Sequence, residues 1–277
     1  MNMRNSGTTI VQGRNDPCTL ALARRVAAML DLDPDRLAED QILPRGWQFI
    51  LLGGDTRRSS LRSDGFPGLG VPMPDLGLPR LLLVSRTVVW THDIHIGETV
   101  ERQSQMVEIS QKEGSSGPMA LVTLHHELRP LSQKDPAVVE RQTYALLPAT
   151  IATARPRPAP EASASARLRI LTPDQTLLFQ YSALGFNSHK IHLDRDYARN
   201  VEGLPDLVVN GGLATLLATE FLRDELAVTP RSLRARHLAP LYCGRPLTLR
   251  IEPIAAGWRV QILDDHNILA VDMEVET

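Results

Sequence analysis

The sequence predicts an α+β protein in which a helix followed by an antiparallel sheet occurs twice in one chain. Three observations predict it. Four apolar or alternating runs follow helical material in the first half, at 81–91, 99–111, 119–128 and 138–147. A long helical segment at 212–226 precedes four more such runs, at 232–240, 247–253, 258–263 and 268–274. Between the halves, 149–166 is almost wholly Ala, Pro, Ser, Thr and Arg, which offers nothing to a core and favours an extended path. The expected organisation is therefore a first half over 1–148, a connector over 149–166 and a second half over 167–277.

In chain order, Asp16-Pro17 reads as an N-cap followed by proline at the first helical position. Leu20, Leu22, Val26, Met29 and Leu30 then recur at helical spacing until Asp33-Pro34 ends the segment. The run 43–52, with Trp47 and Phe49, reads as a short helix or strand. Residues 53–79 are rich in glycine, proline and charge, and read as a long surface loop, either a binding loop or a solvated insertion. In the second half, 173–184 reads as a short helix and 194–201 as a helical turn. Leu213, Leu216, Leu217, Phe221 and Leu222 lie on several sides of the last helix, so it is expected to be deeply buried. Asp264-Asp265-His266-Asn267 joins the last two strands as a hairpin turn. An apolar-x-apolar-Gly-x-x-apolar echo, Ile94–Val100 and Leu241–Leu247, falls between the first and second strands of each half. A helix followed by an antiparallel sheet, twice over, is the plan of a double hot-dog fold.

Bulk properties exclude several classes. With 277 residues, a net charge of −2 and a pI near 6.5, the chain has no basic footprint for nucleic acid and no polybasic membrane patch. No apolar run approaches the roughly 20 residues of a membrane helix. The polar start, Met1–Arg14, has no apolar signal core, which leads us to expect a cytoplasmic protein. Cys18 and Cys243 stand alone in dissimilar contexts, so neither a disulfide nor a thiolate metal site is expected. His92 with His95, and His125 with His126, lack a carboxylate–histidine lattice, and no metal or other cofactor is expected.

The chemistry-bearing stretch is 181–213. Phe186-Asn187-Ser188-His189-Lys190-Ile191-His192 places an amide and an imidazole five residues apart, and Val208-Val209-Asn210-Gly211-Gly212-Leu213 opens the long helix. A proton-carrying side chain beside a glycine-led helix start suits enolate chemistry on a thioester. His189 reads as a packing or pocket-wall residue. Glu220 reads as a salt-bridging or solvated carboxylate.

These two runs resemble the MaoC-like (R)-specific enoyl-CoA hydratases, and in particular a bacterial subgroup with a fungal fatty-acid-synthase-like dehydratase domain. That subgroup includes mesaconyl-CoA and itaconyl-CoA hydratases. The wider family has Gly-Asp-x-Asn-Pro-aliphatic-His, then aliphatic-x-His-Gly. The subgroup's Ser-Ala-Leu-x-Phe-Asn matches Ser182–Asn187, its Lys-x-Gly-x-Ser-Gly-Pro turn is similar to the turn at 112–118, and its Pro-x-Gly-Trp to Pro44–Trp47. Asn187 stands where the wider family has aspartate, as in the subgroup, and Asn210 where a histidine precedes the helix glycine.

The resemblance implies a double hot-dog hydro-lyase whose second half is catalytic and whose first half builds the acyl pocket. The implied substrate is a short branched or dicarboxylic enoyl-CoA. Hydration needs a base for water, a donor for the enolate oxygen and an acid for the α-carbon. His192 would be base and then acid, Asn187 would fix the water, and the N–H of Gly212, or else Gly211, would hold the oxyanion. Lys112, Lys190 and Arg195 are candidates for coenzyme A. Arg80, Arg86 and Arg57-Arg58 are candidates for a substrate's free carboxylate. Acyl-CoA is the expected partner and a homodimer the expected assembly. Two alternatives stay open: a (3R)-hydroxyacyl dehydratase of fatty acyl thioesters, and a hot-dog module that binds acyl-CoA without turnover.

Overall fold

The computed structural model describes residues 12–277 apart from 115–116 and 150–157. Among the described residues ten strands form one antiparallel sheet. In the first half, β1 (Gln12–Pro17), β2 (Arg80–Trp90), β3 (Thr99–Gly114), β4 (Gly117–Pro130) and β5 (Val138–Leu147) lie in the order β1-β3-β4-β5-β2. In the second, β6 (Arg167–Leu171), β7 (Ser232–His237), β8 (Leu247–Ile254), β9 (Gly257–Leu263) and β10 (Leu269–Glu276) lie in the order β6-β8-β9-β10-β7. The two orders are the same topology, and β2 pairs antiparallel with β7 to join them. This is the double hot-dog arrangement. The echo at Gly97 and Gly244 lies at equivalent turns in the two halves, and both glycines have positive φ, 99° and 75°.

Helix α4 (Gly211–Leu226) lies against β8 and β9 and buries Leu213, Ala214, Leu216, Ala218, Phe221 and Leu222. Its other side is tied to the first half. Trp47 Nε1 donates to Glu220 Oε1 at 2.8 Å, and Arg223 Nη2 donates to the Arg45 carbonyl at 2.6 Å. Thr219 packs against Gly46, and the carboxylate of Glu220 is taken up by Trp47 and Arg223. Helix α1 (Leu20–Met29) packs on α2 (Gln175–Leu184), one from each half.

The structure corrects the sequence reading at several places. Asp16 and Pro17 end edge strand β1 and do not start a helix; Thr19 caps α1, its hydroxyl accepting from Leu22 N at 3.3 Å. An edge strand tolerates proline because its missing N–H takes nothing from the ladder there. Strand β6 was not foreseen, because a five-residue run beside an Ala/Pro tract gives little periodicity. The connector falls partly outside the described residues. From Pro158 onward it runs along the second half: Ala159 N donates to Asn267 O, and Ser163 N to Glu252 Oε1.

Residues 53–79 depart most from expectation. They cover the first half's sheet, where Phe66 and Val71 pack with Leu81, Ala120, Val122, Leu124, Tyr144 and Leu146 in a second apolar cluster. Arg102, buried beneath, donates to the Gly53 carbonyl at 2.5 Å, and Thr56 bonds the Pro67 carbonyl. The stretch has no helical or strand period because turns, not a regular element, bring its apolar side chains inward. Among the described residues no helix is long and apolar enough to cross a membrane.

The core holds a deeply buried ion pair. Arg86 Nε and Nη2 donate to the two Glu140 oxygens at 2.7 and 2.9 Å, with Gln48 and Gln142 also on that carboxylate. Arg86→Met would strand the Glu140 charge, and a loss of about 3–5 kcal/mol is expected. Thermal denaturation would show it, with the Arg86→Met, Glu140→Leu double variant recovering most of the loss.

Candidate active site

The polar motif is positioned by how α2 ends. Phe186 N donates to Ala183 O at 3.2 Å and Asn187 N to Ser182 O at 2.7 Å, the paired bonds of a Schellman cap. Phe186 occupies the left-handed position (φ 46°), which usually goes to glycine, so the chain turns sharply into Asn187 with the Phe186 ring left outside. Asn187 Oδ1 then accepts from His189 N at 3.1 Å, and a single turn of 3₁₀ helix, Lys190–His192, follows. Helix α3 (Arg195–Asn200) is capped by Asp194, whose Oδ1 accepts from Tyr197 N at 2.9 Å.

The chain returns past the motif before α4 begins. Val208 N donates to Ile191 O at 2.9 Å, which sets Val208 beside His192. His192 Nδ1 lies 2.8 Å from Val208 O. A carbonyl can only accept, so Nδ1 carries the proton and Nε2 keeps its lone pair. Two residues on, Asn210 is the N-cap of α4 but makes no side-chain cap bond. Its Nδ2 donates to Ser182 Oγ at 3.3 Å, and its buried Oδ1 has no partner among the described residues. The first amides of α4 thus keep their donors, together with the positive end of the helix.

Gly212 is required by contact. A Cβ there would run into the Tyr181 hydroxyl, which lies against the first turn of α4 with its ring stacked on Phe49 at 4.5 Å. Gly211 is looser, with Leu83 and His237 at 3.0–3.1 Å from where its Cβ would be.

The candidate cations are distributed differently from expectation. Arg86 is withdrawn from any substrate role, because it is buried and the Nε–Nη2 edge of its guanidinium is bonded to both oxygens of Glu140. Arg80 is buried against Glu202 at 2.5 Å. Lys112 is exposed near the tip of the β3–β4 hairpin in the other half from His192, paired across it with Met119. Lys190 reaches back, Nζ donating to Ser63 O at 2.7 Å, and Arg195 is half exposed beside Asp206 at 2.8 Å. Arg58 begins a 3₁₀ turn, and Arg57 precedes it at the surface.

The sequence reading missed the partners that the first half sends to this motif. Ser188 Oγ donates to Gly65 O at 2.7 Å and Lys190 N to Asp64 O at 2.8 Å. Gly65 has φ +79°, and a Cβ on it would lie 2.5 Å from Ser188 O, so only glycine lets the two segments meet. Asp64-Gly65 was readable as a turn, but nothing in its own neighbourhood pointed 120 residues ahead.

Comparison with known proteins gives the lineage. Residues 46–243 match the family model described as hydroxyacyl-thioester dehydratase type 2. The chain is 34% identical over 241 residues to a protein of Chloroflexus aurantiacus named mesaconyl-C(4)-CoA hydratase, covering 84% of each. It belongs to the type 2 hydroxyacyl-thioester dehydratase family. Another similar protein is the mitochondrial hydroxyacyl-thioester dehydratase type 2 of Schizosaccharomyces pombe, 24% identical over 78% of this chain and 80% of that one. Among solved structures, a MaoC-like dehydratase of Phytophthora capsici superposes with a TM-score of 0.71 at 13% identity, covering 97% of this chain and 95% of that one. HtdX of Mycobacterium tuberculosis gives 0.67 at 17%, covering 98% and 99%. These two likenesses concern the fold.

In this family member the buried histidines are held neutral. Burial pushes His189 and His192 down to about 3, each lowered further by a neighbour, Arg62 for His189 and His189 for His192. Burial likewise puts His126 and His237 at about 4. All four bind a proton more readily in the unfolded chain, so the stability they contribute is full above about pH 6.5 and is lost as the pH falls toward 3–4. Urea denaturation at a series of pH values is expected to show falling stability below pH 6.5 with net proton uptake on unfolding. Gly212→Ala has to displace Tyr181 and is expected to cost about 1–3 kcal/mol. Gly211→Ala should cost less, and melting temperatures of the two variants would rank them.

Proposed function

We propose that the chain is a hydro-lyase that adds water across the double bond of a short branched or dicarboxylic enoyl-CoA of the mesaconyl-CoA or itaconyl-CoA type. The observation that carries the reading is the His192 Nδ1–H bond to Val208 O, 2.8 Å, at the approach to a glycine-led helix. It leaves Nε2 as the base, on a ring held to Val208 three residues before α4 begins, and the first amides of that helix are the donors for an enolate oxygen. Nε2 removes a proton from water as the hydroxide bonds the β-carbon. The electron pair of the double bond moves onto the thioester as an enolate, which the Gly212 N–H, with Gly211 N–H beside it, stabilises. The imidazolium then returns its proton to the α-carbon. Asn187 uses its Oδ1 on His189 N, so its Nδ2 end is the one free to hold the water or the β-hydroxyl. In this reading the second half, 167–277, carries the chemistry and the first half, 1–148, shapes the acyl pocket. Lys190 within the motif and Arg195 just after it are the candidate cations for coenzyme A. A dicarboxylic acyl group is supported by the Chloroflexus relative named mesaconyl-C(4)-CoA hydratase.

The description of the matching family and the Schizosaccharomyces relative favour a second reading, dehydration of (3R)-hydroxyacyl thioesters of fatty acid metabolism, with the same residues run in reverse. One assay separates the two: enoyl absorbance followed on a panel of enoyl-CoAs with and without a free carboxylate. Turnover confined to straight fatty enoyl chains would replace the first reading with the second. Thiol release in place of loss of the double bond would remove both. His192→Ala is expected to lower turnover by about 10²–10⁴, with circular dichroism unchanged; a variant with near-full activity would remove the mechanism.

A further inference from the structure

The motif at 186–192 carries two imidazoles and no carboxylate. If His192 removes a proton, a cation forms in a buried place, and such a charge needs an opposite one within reach. Asp64 is the carboxylate in contact with the motif. It is wholly buried and comes from the other half of the chain. Its Oδ1 accepts from Phe66 N at 2.9 Å and its Oδ2 from Arg62 Nε at 3.0 Å. The same Oδ2 stands 3.8 Å from His189 Nε2, a buried nitrogen with no hydrogen-bond partner among the described residues. The His189 ring is held between the Phe66 ring, 5.8 Å away, and the ring of His192, 5.2 Å away and nearly perpendicular at 85°.

We propose that Asp64 is a positioning residue for the histidine pair: through His189 it orients His192 and supplies the counter-charge when the pair holds a proton. The hydratase reading underlies this inference and makes the active site a joint product of both halves. The segment 62–66 thereby gains a role beyond covering the sheet. Arg62 balances Asp64 while the histidines are neutral. When a proton reaches the pair, the 3.8 Å gap to His189 Nε2 can close to a charge-assisted bond, with Arg62 retained through its own bonds to Leu78 O and Pro79 O. The other ionisable groups around the cluster are Glu202, committed to Arg80, the Tyr197 phenol and the Lys190 ammonium, which sits 5.0 Å from the Tyr197 ring.

The test compares Asp64→Asn, Asp64→Glu and Arg62→Gln on the enoyl-CoA that turns over fastest, at a temperature where each is folded by circular dichroism. Asp64→Asn should lower kcat 10- to 100-fold, change KM less than threefold and move the acid limb of kcat/KM to lower pH. Arg62→Gln should move that limb to higher pH, and Asp64→Glu should restore part of kcat. Asparagine and glutamate variants that both keep kcat within twofold, or that both lose it with an unmoved limb, would overturn the proposal. Imidazole ¹⁵N shifts of His189 and His192, followed against pH in the wild type and Asp64→Asn, give a readout free of turnover. A shifted titration supports the electrostatic link even if the wild type hydrates nothing on the panel, and identical titrations refute it.

Discussion

The antiparallel seam between β2 and β7, running from Ser85 opposite Arg236 to Val89 opposite Ser232, is the constraint on which the rest depends. Without it the chain would be two five-stranded sheets free to slide, and every contact between halves would be a matter of chance. The seam is short, so backbone bonds alone fix the register but contribute modest stability. Helix α4 reinforces it from the second half. Arg45 donates to Pro230 O at 3.0 Å while its own carbonyl receives Arg223, and Trp47 reaches Glu220. Once register is set, α1 meets α2 across the join, and the loop at 53–79 reaches the motif at 186–192 through Asp64 and Gly65.

The same seam explains the buried charge in the core. Arg86 lies on β2 with Ala235 opposite on β7 and Gln142 opposite on β5, where a long side chain cannot reach water. Glu140 neutralises it through two parallel bonds, and the surrounding amides fill the carboxylate's remaining lone pairs. Tyr144 closes the chain by donating to Gln142 Oε1 at 2.5 Å. A cluster this connected fixes which side chains share the inner face, since a slip of one residue would carry Arg86 and Glu140 to opposite faces.

Much of the architecture was legible because local patterns recorded it. Strand β5 was placed at both ends, and α4 to within a residue, since their apolar residues recur at strand and helix periods over long runs. The fold's duplication was legible in one glycine turn repeated at Gly97 and Gly244. The motif at 186–192 was legible by resemblance, and its tertiary partners were not. Asp64 and Tyr181 act on residues about 120 and 30 positions away, through a loop with no period and a phenol in an ordinary helical slot. Arg86 misled for the opposite reason: an arginine on an apolar strand invites a ligand, and only the register of β5 reveals that Glu140 already holds it.

The proposed chemistry also accounts for a base so strongly disfavoured as a cation. Burial holds His192 near a pKa of about 3, and the positive end of α4 opposes an imidazolium further. That helix end, though, favours the enolate formed in the same step. Proton removal and hydroxide addition create the two charges together, so the site meets a dipole and never a lone ion. A low dielectric strengthens attraction within such a dipole even as it penalises each charge separately. Burial then works against charging His192 in the empty site and much less against charging it opposite the enolate. Asparagine at 187 fits this balance, because a fixed carboxylate there would face the enolate's negative charge, whereas a carboxylate set back behind His189 is screened from it by the imidazole.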